Sequence, residues 1–167
     1  PDSPFADAFH TMRSMLLPVL YLMGSEVPKA DVYHAICTGY GGLLACLGGH
    51  VYKKKVLLTE HGIYTREREE EIIRAKWVQP AFKKQWISFF YMLSDIIYTR
   101  AFLVSALFTN AMHAQIQMGC DKGKCRVIEN GINYERLSPI PLKEEDGWVD
   151  IGAIVRLAPI KDIKTMI

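Results

Sequence analysis

Hydrophobic positions along the chain switch between a helical period and short apolar runs of strand length. A first amphipathic stretch begins near Phe5 and ends in the apolar segment Met15–Met23, which contains Pro18 and is followed by polar residues. That segment is too short to cross a bilayer and reads as the buried end of a helix. The run Asp31–Cys37, led in by Pro28, predicts a strand that ends in Thr38-Gly39-Tyr40-Gly41-Gly42. Leu43–Leu47 then predicts a short helix closed by Gly48-Gly49. Val56–His61 predicts a second strand, stopped by Gly62. Thr65–Ala75 predicts an exposed, charged helix whose acidic residues gather toward its N-terminal half, where they complement the helix dipole. After Pro80, the residues Phe82, Trp86, Phe89, Phe90, Leu93 and Ile97 recur at helical spacing and predict a long helix with an aromatic stripe in the core. A strand over Phe102–Leu107, a helix over Asn110–Met118, a strand over Arg126–Ile128 and a turn at Glu129–Gly131 follow. The Pro139–Gly147 stretch has the composition of a linker. Val149–Leu157 predicts one more strand, with a helix starting after Pro159.

Strands alternating with helices define an α/β fold, a Rossmann-like parallel sheet with helices on both faces. The expected organisation is a main domain over residues 1–138, a linker over 139–148, and the first strand and helix start of a second domain over 149–167. A parallel sheet carries its ligand site outside the carboxyl ends of its strands. That rule selects the Thr38–Gly42 loop, His61-Gly62, the turn Leu107–Asn110 and Asn130-Gly131.

Composition narrows the function classes. The 167 residues are half hydrophobic, 23% charged and carry a formal charge of +2, a globular profile that makes no electrostatic case for nucleic acid. Lys53-Lys54-Lys55 is the densest basic run. It reads as a solvated loop or strand edge, with phosphate contact as the alternative. Cys37, Cys46, Cys120 and Cys125 do not form a disulfide framework. Cys120 and Cys125 flank a turn and resemble half a zinc site without its other half; reduced thiols, and with them a reducing compartment, are the expectation.

The loops suggest specific chemistry. Glycines in Thr38–Gly42 let a backbone approach a ligand closely before a helix N-terminus, although the same residues serve tight helix–strand packing. The loop has neither the Walker A ending nor the dinucleotide fingerprint, which argues against a nucleotide-dependent oxidoreductase. His61 stands at a strand end, with Thr59 on its side of the sheet and Glu60 on the other. There its imidazole is placed to hydrogen-bond a sugar hydroxyl or to polarise a transferring group, or else to cap the strand through a carbonyl. Arg66 and Glu67 belong to a largely solvated charge run but lie close enough to reach the same cleft. Arg156 and Lys161 place a guanidinium at a strand end and an ammonium at a helix start, a pairing suited to neutralising a diphosphate without a metal ion.

Four segments carry a resemblance: Ala30–His34, Thr38–Leu44, Leu58–Arg68 and Val127–Asn133, supported by the helix around Trp86–Phe90. Together they resemble PelF-type members of the retaining glycosyltransferase family four, across nearly the whole chain and most specifically in Leu58–Arg68. The resemblance implies a GT-B architecture of two Rossmann-like domains, with acceptor on the first and sugar nucleotide on the second. It implies transfer from a UDP-sugar to a growing exopolysaccharide, with no cofactor and no metal. His61 would then face the reacting centre, while Arg156 and Lys161 would hold the donor diphosphate. It further implies a cytoplasmic protein beside an inner-membrane Pel complex, not itself membrane-spanning. The family's first glycine-rich loop and its paired-glutamate motif have no counterpart between Pro1 and Ile167, and Glu129 stands where relatives carry proline. The chain is therefore expected to be an internal piece, inactive alone. A non-catalytic module that docks a membrane synthesis complex is the alternative.

Overall fold

The computed structural model describes residues 5–141, 143, 144, 146–158 and 161–166. Contacts divide the chain into two units between Asn130 and Gly131.

The first unit is built on four parallel strands: β1 (Val32–Ala35), β2 (Lys55–Glu60), β3 (Leu103–Ala106) and β4 (Cys125–Val127), in the order β1-β2-β3-β4. The register pairs Ala35 with Leu58, Glu60 with Ala106 and Ala106 with Val127, so the four carboxyl ends form one edge. The helices are α1 (Phe5–Met23), α2 (Tyr40–Tyr52), α3 (Tyr64–Arg74), α4 (Lys83–Arg100) and α5 (Thr109–Gln117). This is the α/β, Rossmann-like parallel sheet flanked by helices that the alternation of periods predicts.

Strand alternation decides where the core sits. Tyr33, Ala35, Val56, Leu58, Val104 and Cys125 project to one side, where Ala45 and Cys46 of α2 and Ile97 and Tyr98 of α4 meet them. Parallel neighbours in sequential order require right-handed crossovers, which place the connecting helices on that side. The opposite side carries a polar row: His34 Nε2 lies 2.9 Å from the Thr59 hydroxyl, which lies 2.7 Å from the Ser105 hydroxyl. A second cluster forms behind α4, where Trp86, Phe89, Phe90 and Leu93 pack with Met15, Ile72, Val78 and Phe82. The aromatic stripe read from the sequence is that core.

One helix differs from its expected length. Gly48 and Gly49 do not close α2; they lie inside it, and it ends at Tyr52 with Lys53 in the left-handed conformation (φ 51°). A Cβ at Gly48 would strike the Tyr33 ring, and one at Gly49 would strike Val56 Cγ2. The two glycines allow the helix to approach the sheet closely, and that packing outweighs their helix-breaking tendency. The lysine run follows at the surface: Lys54 pairs with Asp31 at 2.9 Å, and Lys55 lies 3.7 Å from the centroid of the Phe102 ring.

The second unit holds two short helices among its described residues, α6 (Tyr134–Leu137) and α7 (Ile163–Met166). Asn133 caps α6, its Oδ1 accepting from the Arg136 N–H at 2.9 Å. The strand expected over Val149–Leu157 does not form; Val149, Ile151, Ile154 and Leu157 are highly exposed. A strand needs a neighbour for its ladder hydrogen bonds, and among the described residues none pairs with this segment. Pro159, from which the last helix was expected to start, lies outside the described residues.

Candidate functional site

The carboxyl edge of the sheet collects the loops that the topological rule selects. Ile36–Gly39 leave β1, His61 and Gly62 leave β2, and Leu107 and Phe108 leave β3. Pairing continues past β4, where the Ile128 N–H donates to the Ala106 carbonyl at 2.9 Å and leads to Asn130. His61 follows the last residue of a central strand and its side chain is exposed. Gly131 belongs to the second unit.

Two contacts tie the first two loops to α3. A Cβ on Gly39, which sits at φ +87°, would fall among the ring atoms of Tyr64, at 2.6 Å from Cε1. Only a glycine combines that backbone angle with that clearance. A Cβ on Gly62 would strike the carboxylate oxygen of Glu67. Glu67 therefore lies directly over the residue next to His61, while Arg66, its neighbour, is exposed. Arg68 lies over the Tyr64 ring, 5.3 Å from its centroid. The half-buried Cys37 thiol is pushed up by burial and then by the charges of Glu60 and Glu67.

The remaining residues of the glycine loop have structural partners. Thr38 is fully buried and its hydroxyl accepts from Ser94 of α4 at 2.9 Å; Ser94 and Thr65 lie 2.6 Å apart. This hydroxyl chain fastens the β1 loop to α4 and to the start of α3. Gly42 is buried where a Cβ would lie 2.7 Å from Ile97 Cδ1 and 2.9 Å from the Cys37 carbonyl. Tyr40 is half-buried against Phe89 and Phe90, and Gly41 is exposed. Within Thr38–Gly42, Gly41 and part of Tyr40 are open to a ligand, and the others set the loop's shape.

Beneath the edge lies a group that the sequence reading passed over. Glu60 is 1% exposed, and its Oε2 accepts from the Tyr98 hydroxyl at 2.7 Å and from Gln115 Nε2 at 3.0 Å. Glu60 Oε1 and Gln115 Oε1 are buried without a hydrogen-bond partner. Burial raises the Glu60 carboxyl above its ordinary range, against the lowering effect of its hydrogen bonds from Tyr98, Gln115 and the Tyr64 backbone. The signal available in the sequence was a lone carboxylate in an apolar strand, one residue before the histidine.

In the second unit Arg156 and Lys161 are both exposed. Arg156 is not at a strand end, since no strand forms there. The Lys161 N–H donates to the Ala158 carbonyl at 2.9 Å in the turn before α7. Lys143 pairs with Asp146 at 2.8 Å and with Asp150.

Among the described residues no helix is long and apolar enough to cross a membrane, and no three His, Cys, Asp or Glu side chains gather in a metal-binding group. The thiols of Cys120 and Cys125 are free and lie 3.4 Å apart in the core.

Fold and edge together define an α/β Rossmann-like protein whose loops gather at the carboxyl ends of a parallel sheet. Residues 1–123 match the family described as a domain of unknown function (DUF3492), and the chain belongs to that family, a domain found in glycosyltransferase-like proteins. No curated protein matches the chain.

Proposed function

We propose that the chain is part of a retaining, GT-B-type glycosyltransferase, of the PelF type, holding most of the acceptor-side domain and the start of the donor-side domain, in an enzyme that moves a sugar from a UDP-sugar to a growing exopolysaccharide. The observation that carries this reading is the placement of His61. It is an exposed imidazole just beyond a central strand, beside a glycine covered by Glu67, on the edge where a parallel sheet binds ligands. Membership in a family found in glycosyltransferase-like proteins supports the same class.

In this reading the first unit presents the acceptor and the reacting-centre imidazole. His61 hydrogen-bonds the sugar being transferred, and the backbone around Gly41, Gly62 and Asn130 lies close to the substrates. Arg156 and Lys161 stabilise the departing diphosphate as its charge develops. UDP-sugar is a substrate, and the residues assigned here supply the charge compensation without a metal ion or cofactor. The protein works in the cytoplasm against a membrane-bound synthesis complex. The test is release of UDP from a panel of UDP-sugars by the chain extended at both ends. His61→Ala is expected to lower the rate by about a hundredfold or more with no change in thermal stability, in line with removal of one polarising group. Unchanged turnover in that variant would remove His61 from the chemistry.

A further inference from the structure

The geometry points to a saccharide-binding groove distinct from the strand-edge loops, between α1 and the segment that enters α4, shaped for one pyranose ring of a neutral oligosaccharide. It is a cleft of about 190 Å³ with two unlike walls. One wall is indole. Trp77 and Trp86 pack edge to face with centroids 5.7 Å apart, and Trp77 is 67% exposed while Trp86 is buried. The other wall is a polar strip of α1, Asp7, His10, Thr11 and Ser14, at positions one turn and two turns apart. Gln79 also lines the cleft.

Each feature departs from what packing alone produces. A helix laid on its domain normally turns an apolar stripe inward, as Met15 and Val19 do elsewhere on α1. Toward the tryptophans α1 instead presents a carboxylate, an imidazole and two hydroxyls. The Ser14 hydroxyl donates to the His10 carbonyl at 2.8 Å, which leaves its oxygen an acceptor. The side chains of Asp7, Thr11 and Gln79 have no hydrogen-bond partner among the described residues. An exposed indole beside unengaged donors and acceptors suits a ligand with an apolar face and a polar rim. A pyranose with equatorial hydroxyls is such a ligand: its axial C–H groups stack on the ring while its hydroxyls reach the helix. The volume is below the roughly 300 Å³ at which pockets for drug-sized ligands begin, which limits the groove to about one ring of a longer chain.

Topology places the groove usefully. Parallel strands need a return path, so α4 runs against the strands it connects, and its first turns lie toward their carboxyl ends. Trp86 is in those turns. A polysaccharide held at Trp77 would thus be held on the same end of the domain as His61. This last step rests on the glycosyltransferase reading; the groove's affinity for sugar does not.

The test is calorimetric titration of the 167-residue chain with cellohexaose and with N-acetylated chitohexaose, repeated with tetramethylammonium chloride. Binding of at least one hexasaccharide is expected, weakened tenfold or more by Trp77→Ala and several-fold by Thr11→Val, with thermal unfolding unchanged in both variants. Trp77 is exposed, so its truncation spares the core, and Thr11→Val preserves shape while removing the hydroxyl. Absence of binding to both sugars, binding indifferent to both substitutions, or binding of tetramethylammonium in their place would each overturn the proposal. The outcomes separate from those for catalysis: lost UDP-sugar turnover in His61→Ala bears on the transferase reading alone, and oligosaccharide binding bears on the groove alone.

Discussion

The hydroxyl of Tyr98, in the last turn of the long helix α4, donates a 2.7 Å hydrogen bond to the carboxyl of Glu60, the last residue of the central strand β2. The bond fixes the point from which His61 leaves the sheet. It also holds a titratable group in the core, with two acceptor oxygens, Glu60 Oε1 and Gln115 Oε1, lacking donors. A proton on Glu60 would turn one of its carboxyl oxygens into a donor.

That arrangement fixes the sign of a pH effect. The Glu60 carboxyl titrates above its ordinary value in the folded protein because burial disfavours the anion. Its contribution is therefore fully present below the unfolded value of about 4.3 and is lost as pH rises through the folded value. Urea midpoints measured from pH 4.5 to pH 8 should fall for the native chain relative to Glu60→Gln, which is neutral throughout. Parallel curves would show that the carboxyl is not raised. Glu60→Ala should destabilise at every pH by about 1–3 kcal/mol, since it strands Tyr98 and Gln115.

The glycines of α2 should separate into two kinds. Gly48→Ala and Gly49→Ala put a methyl into Tyr33 and Val56 and should each cost about 1–3 kcal/mol through overpacking. Gly41→Ala meets only Cys37 Sγ at 3.9 Å and should be neutral or stabilising by up to about 1 kcal/mol. Thermal unfolding of the three variants decides it; equal losses at all three positions would mean that α2 does not lie this close to the sheet.

Thiol labelling provides an independent check of the core. Burial pushes Cys46 up to about 11 and Cys120 up to about 12, the latter also by the hydrogen bond from Cys125. Iodoacetamide reacts with the thiolate, so at pH 8 both should be modified only on unfolding, while half-buried Cys37 reacts first. Mass spectrometry of peptides after timed labelling reads the order, and early modification of Cys120 would contradict the packing described.

Elements with a strong period were legible in the sequence. The aromatic spacing from Phe82 to Ile97 gave α4 and its buried face, and the run Val56–His61 gave β2 to within a residue, because burial on one side imposes those patterns. Gly48-Gly49 misled because a local rule for helix ends lost to a tertiary contact with Tyr33 and Val56. Val149–Leu157 misled because apolar composition does not supply a hydrogen-bonding neighbour. The site was legible as a set of loops, since topology alone gathers the strand ends. That Thr38 faces Ser94 and that Glu60 is buried beside Gln115 depend on helices distant in sequence, which no local pattern reveals.

The most direct test of the central claim is calorimetric titration of UDP into the chain extended at both ends, alongside its Arg156→Ala and Lys161→Ala variants. The account predicts saturable UDP binding that each substitution weakens by about tenfold or more, as loss of a charge-assisted contact to phosphate would. A well-folded protein that gives no UDP binding, or binding indifferent to both residues, would contradict it, the first outcome sinking the transferase reading and the second the diphosphate role of Arg156 and Lys161.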